Sequence, residues 1–236
     1  MKLHLKIAIQ RLTSKEFRTN PCVILILGLF SCSLFGWMFL EVMDAIWIEK
    51  QLLPFDHAIS DWMGKDPEVE NQIIPMLLNL LGNALLLGTL ALLTSGYLFY
   101  RRHVLEGAVL LIGFATMAVS VYTLKLLIHR VRPMPDAPLT EPSMAFPSGH
   151  TALSLFVYGF LAYVIARRVH NRKHALLIML AGIGLALMIG ISRLYINVHW
   201  LSDVLGGVTL ASAFLCLCIG ILETGHAYHQ RKRPQS

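Results

Sequence analysis

Charged residues interrupt this chain rarely and unevenly, and the intervals between them set its architecture. Residues 22–40 run nineteen positions without a charge, enough for a helix to cross the roughly 30 Å of hydrocarbon in a bilayer. Further apolar runs occupy about 73–99, 104–128, 149–166, 174–191 and 202–222. The pattern predicts an all-α polytopic integral membrane protein with six transmembrane helices. Basic residues precede the first run, as they would a signal peptide. Only EVMDAIW follows it, with no small-residue cleavage site, so a retained anchor is expected. No internal repeat or low-complexity linker divides the chain. The expected layout is a basic arm over 1–21, one membrane domain over 22–224 and a basic tail over 225–236.

Composition agrees with the pattern. Hydrophobic residues make up 56% of the 236 and charged residues 14%, against about 25% charged in soluble domains. A net charge of +6 by itself suggests nucleic acid, but its placement points to membrane orientation, and no nucleic-acid partner is expected. Fourteen of the twenty Lys and Arg fall on one side of the predicted bilayer: the N-terminal arm, Arg101 and Arg102, the group Arg167, Arg168, Arg172 and Lys173, and the tail. That side is the cytoplasm by the excess of positive charge, and both termini lie there. The first exterior segment, 49–72, is acidic, with Glu49, Asp56, Asp61, Asp66, Glu68 and Glu70 against two lysines. A solvated outer surface is expected for it. In the arm, Leu5, Ile9 and Leu12 have helical spacing, which suits either a helix lying on the membrane or a solvated tail. Cys22, Cys32, Cys216 and Cys218 sit in apolar runs without metal-ligand spacing and are expected to be packing residues.

Six cations fall on the other side, and four of them stand at span ends where topology does not need them: Lys125, Arg130, Arg132 and Arg193. If the third span continues past Lys125, Arg132 shares its face, about 10 Å further along the axis; Pro133 then ends it. Snorkelling to the interface is the other reading of Lys125. Ser148 is placed to cap the fourth span, with Gly149 and His150 behind it. An incidental histidine on a capped helix and an anion site at that helix N-terminus both fit those residues. His199 and Asp203 stand four apart, within hydrogen-bonding reach on a helix. Cations, a helix N-terminus, a histidine with a carboxylate partner and a second histidine are together what phosphoryl transfer requires. Between these motifs, PMPDAPLTEPSMAFP holds five prolines in fifteen residues and cannot be helical. Met134, Leu139, Met144 and Phe146 in it are expected to form a rim for a lipid headgroup or to be filler. Trp37, Trp47 and Trp200 suit the interfacial belt.

KLLIHRVRP, PSGH and SRLYINVHWLSD resemble the three-part signature of the type 2 phosphatidic acid phosphatase family, relatives of the vanadium haloperoxidases. Every fixed position of that signature is present, from Lys125 to Asp203, and the six-span layout extends the resemblance over most of the chain. The resemblance implies His199 as nucleophile through a phosphohistidine, Asp203 as its orienting partner and His150 as general acid. It implies Lys125, Arg132, Ser148, Gly149 and Arg193 as phosphate-binding residues, with no metal and no cofactor. The function so implied is hydrolysis of a membrane lipid phosphate or diphosphate at the outer face of a bacterial inner membrane. Undecaprenyl diphosphate, phosphatidylglycerophosphate, phosphatidic acid and lipid A phosphate are the candidate substrates. A phosphotransferase would use the same residues. A transporter of lipid or anions is disfavoured because the charges gather at one interface instead of the midplane. A haloperoxidase is disfavoured because those enzymes are soluble.

Overall fold

The computed structural model describes residues 20–48, 50–63, 73–133 and 144–232. The basic arm with its Leu5–Ile9–Leu12 stripe, Glu49, residues 64–72, residues 134–143 with Met134 and Leu139, and the end of the tail from Arg233 lie outside the described residues. Eight helices form among those described: α1 (Pro21–Trp47), α2 (Leu53–Met63), α3 (Ile73–Leu81), α4 (Ala84–Tyr100), α5 (Val104–Ile128), α6 (Gly149–Ala166), α7 (Arg172–Tyr195) and α8 (Leu201–Lys232).

Five of these, α1, α5, α6, α7 and α8, are each long and apolar enough to span a bilayer. The sixth span is α3 with α4, bent by 48° at the Gly82–Asn83 break. Asn83 restarts the helix by accepting from the N–H groups of Leu85 (2.9 Å) and Leu86 (3.4 Å), a side-chain cap on donors that lipid cannot satisfy. The Leu81 carbonyl freed by the break accepts from the Tyr158 hydroxyl at 2.9 Å.

Helix α6 is the centre. Its apolar window is the least hydropathic of the five, at 1.5, yet 72% of it is buried inside the protein. A helix enclosed by other helices has no lipid to match, so it tolerates Ser, Thr and His on its faces. Helices α4, α5, α7 and α8 pack around it, and α1 lies outside against α8. Gly28 and Gly220 set that outer contact, because a Cβ on Gly28 would stand 2.9 Å from the Gly220 Cα. At the end of the bundle away from the motifs, buried Glu106 pairs with Arg168, and Arg167 pairs with Glu223 at 2.7 Å. All four cysteines are free, with Cys218 buried and Cys22 exposed.

Three elements differ from the sequence expectation. Helix α8 continues as one helix to Lys232. Helix α5 stops at Ile128, where His129 takes a left-handed conformation (φ 48°) and its N–H caps the Lys125 carbonyl. Lys125 and Arg132 therefore do not share a helical face; Arg132 enters from the segment beyond. The exterior segment also contains α2, and Asp56 on it is buried, 2% exposed, rather than solvated.

Candidate active site

Four helix ends and one turn meet at the site. Ser148 caps α6: its hydroxyl oxygen accepts from the Thr151 N–H at 3.5 Å and from the Thr151 hydroxyl at 3.0 Å. Its own N–H donates to the Asp203 carbonyl at 3.0 Å, which ties the second motif directly to the third. Such an approach of α8 needs bare backbone. A Cβ on Gly207 would lie 2.9 Å from the Ser148 carbonyl oxygen, and one on Gly206 would lie 2.5 Å from the Phe146 ring.

Lys125, in the last turn of α5, does not snorkel outward. Its Nζ donates to the Met144 carbonyl at 2.7 Å, and its Cε lies 3.9 Å from where a Gly149 Cβ would stand. The ammonium is thereby brought beside the first residue of α6, where free N–H groups and the positive end of the helix dipole point outward. A Cβ on Gly149 would meet only ordinary contacts there, 3.5 Å from Val121 Cγ1 and 3.9 Å from Lys125 Cε. Beyond α5, Val131 pairs with Met144, and the Ala145 N–H donates to the Arg130 carbonyl at 2.7 Å. That pairing carries Arg132 inward to 6% exposure.

His199 is not on a helix. It sits in the turn between α7 and α8, and its Nδ1 faces the Asp203 Oδ2 at 3.3 Å with both side chains essentially buried. The same Oδ2 accepts from the Trp200 N–H at 2.9 Å. Asp203 thus acts as the reaching-back acid of the α8 N-terminus, and the cap fixes the carboxylate that touches the histidine. Arg193, fully buried at the end of α7, donates to the Asn79 side chain on α3. The bend at Gly82 brings the same span against His150, where a Cβ on Gly82 would stand 2.7 Å from the ring Cδ2. All eight residues named from the sequence lie at this end of the bundle.

The sequence reading assigned no role to several partners. Arg130 lies inside the first motif, between the marked positions, and makes ion pairs with Asp203 Oδ1 at 2.5 Å and Asp56 Oδ2 at 2.6 Å. Its presence in the spacer was a visible signal. Asp56 gave none, because an acid in an acidic segment reads as solvated. Ser202 stands beside Asp203 in the third motif without a role assigned to it, and Asn79 is a further polar neighbour that only the folded chain brings in. One expectation is corrected. Phe146 is no surface rim but wholly buried, stacked on Phe39 at 5.8 Å between ring centres. Trp200 packs against the Arg130 guanidinium at 5.8 Å and donates its Nε1–H to the Val131 carbonyl. Trp37 and Trp47 are exposed on α1.

Among the described residues, no three His, Cys, Asp or Glu side chains converge as a metal site requires. Positive charge here comes from arginines, a lysine and a helix end.

Comparison with known proteins points to membrane lipid phosphatases. The family model of the PAP2 superfamily matches residues 106–226. Phosphatidylglycerophosphatase B of Bacillus subtilis (strain 168) is 32% identical over 164 residues, covering 68% of this chain and 79% of that protein. The crystal structure of a transmembrane PAP2-type phosphatidylglycerolphosphate phosphatase from Bacillus subtilis superposes with a TM-score of 0.70 at 28% identity, covering 88% of this chain and 100% of that one.

Proposed function

The chain belongs to the PAP2 superfamily and is a membrane lipid phosphatase, and from that premise we propose that it cleaves a lipid phosphomonoester through a phosphohistidine on His199. The observation that carries the mechanism is the buried contact between His199 Nδ1 and Asp203 Oδ2 beside the capped N-terminus of α6. A carboxylate accepts only, so the imidazole proton belongs on Nδ1 and the lone pair on Nε2. Nε2 attacks phosphorus and the bond from phosphorus to the lipid oxygen breaks. His150 gives its proton to that departing oxygen. Water, deprotonated by His150, then attacks the phosphohistidine, releasing phosphate and restoring His199. Lys125, Arg132, Arg193, the Ser148 hydroxyl and the Gly149 N–H hold the non-bridging oxygens as their charge grows.

The substrate class we favour is phosphatidylglycerophosphate, on the strength of the names the two relatives carry. Undecaprenyl diphosphate, phosphatidic acid and lipid A phosphate fit the same phosphate cradle. The purified protein, assayed for phosphate release on all four in detergent micelles, is expected to turn over phosphatidylglycerophosphate fastest. Activity is expected to persist in excess chelator, because side-chain cations supply the charge, and to fall with orthovanadate, which mimics five-coordinate phosphorus. Loss in chelator that one divalent ion restores would overturn the charge assignment. Phosphate release from another lipid of the panel at a far higher rate would reassign the substrate.

A further inference from the structure

Resting on that reading, we propose that Asp56, carried on the exterior helix α2, is a positioning residue for the His199–Asp203 pair. It holds Arg130 in place and shares its charge, so that the negative charge of Asp203 stays available to the imidazole.

The geometry behind this is a closed polar network. The Asp56 carboxylate accepts from Arg130 Nη2 at 2.6 Å, from the Ser202 N–H at 2.9 Å and from the Ser202 hydroxyl at 2.6 Å. Arg130 Nη1 in turn donates to Ser202 Oγ at 2.7 Å and to Asp203 Oδ1 at 2.5 Å. Asp56, Arg130 and Asp203 are 1%, 10% and 0% exposed at their side chains. A buried carboxylate is costly unless paired and hydrogen-bonded, and here every partner belongs to the active-site end. Helix α2 is also clipped to the turn that carries His199. The Ser60 hydroxyl donates to Asn197 Oδ1 at 2.7 Å, and His57 meets the Trp200 ring edge-on at 5.0 Å. Residues 56, 57 and 60 lie on one face of a helix, and that face closes over the turn.

Charge decides what the network does. Asp203 presents Oδ1 to Arg130 and Oδ2 to His199. With one guanidinium alone, the aspartate would be neutralised before reaching the imidazole. The second carboxylate leaves the three side chains at a net charge of −1. That remaining charge offsets the cationic imidazole formed when Nε2 takes the phosphoryl group. Asp56→Asn keeps the size and an acceptor for Ser202 but brings the network to zero. The other charged and titratable groups at this end, Lys125 on α5, Arg132 beyond it, His150 on α6, Arg193 on α7 and His57 on α2, are left in place.

The test is steady-state phosphate release from phosphatidylglycerophosphate in detergent micelles across pH. For Asp56→Asn we expect kcat to fall about tenfold with KM within about twofold. The acid limb of kcat/KM, which reports protonation of His199, should move down by about one pH unit, the size of a single nearby charge change. Arg130→Gln should move that limb up, and the double variant Asp56→Asn/Arg130→Gln should bring it back toward wild type. Should Asp56→Asn not survive extraction, the Arg130→Gln and double variants carry the same comparison. A kcat loss with the limb unmoved, or a double variant no closer to wild type than either single one, would reduce Asp56 to a packing role. Full activity of His199→Ala would instead remove the nucleophile reading on which this rests.

Discussion

At the scale of single residues, the chemistry turns on which nitrogen of His199 is held. Asp203 Oδ2 occupies the Nδ1 side, so in the proposed mechanism the attack falls to Nε2. His199→Ala is expected to abolish phosphate release while the protein stays folded in detergent. Asp203→Asn offers an amide where the imidazole needs an acceptor, and its loss should be roughly 10²-fold or more, by analogy with serine-protease triads. Single-turnover labelling with radioactive lipid phosphate gives the sharper measurement: acid-labile, base-stable label on the wild-type protein and none on His199→Ala. Label retained on the variant would move the nucleophile elsewhere. The same residue scale shows where sequence spacing was a good guide for a partly wrong reason. His199 and Asp203 do meet, but across a turn and a helix cap rather than along a helix.

Between elements, the site depends on how closely α6 and α8 approach. Gly207→Ala would place a Cβ 2.9 Å from the Ser148 carbonyl and 3.1 Å from the Thr151 Cβ. Backbone cannot swing aside as a side chain does, so the N-terminus of α6 must shift. A cost of about 1–3 kcal/mol is expected for such overpacking, read as a lowered melting temperature in detergent together with lost activity. Gly184→Ala is the control, because nothing lies within 4 Å of its Cβ position, and it should be neutral or slightly stabilising. Equal effects of the two would mean that helix approach does not limit the site. The elements themselves were largely legible, since uncharged runs report directly on what lipid accepts: the break at Gly82 inside the second run, the stop of α5 at Ile128, the extension of α8 and the identity of α2 were the exceptions. A run such as 73–99 stays apolar through a bend, so hydropathy passes over it. Helix α2 has eleven residues, too short to span, and what fixes it is contact with residues far along the chain, among them a buried ion pair with one 74 positions away. No local pattern carries that information.

For the whole molecule, the open quantity is direction. The site residues occupy one end of the bundle, while Arg101, Arg102, Arg167 and Arg168 occupy the loops of the other and Arg172 starts α7 there. Bilayers hold the end richer in Lys and Arg on the cytoplasmic side, which would put His199 at the outer face, against lipids of the outer leaflet. Pairing does not erase that signal: Arg168 is matched by Glu106, yet acids contribute little to orientation. Single-cysteine variants test it directly, with Cys22, Cys32, Cys216 and Cys218 first replaced by alanine. Asp61, exposed on α2, and His170, exposed between α6 and α7, mark the two ends. Asp61→Cys is expected to react with a membrane-impermeant maleimide on intact cells, and His170→Cys only after permeabilisation. The opposite pattern would turn the site toward the cytoplasm. The substrate would then be a lipid phosphate of the inner leaflet, met where it is synthesised instead of after transfer across the membrane.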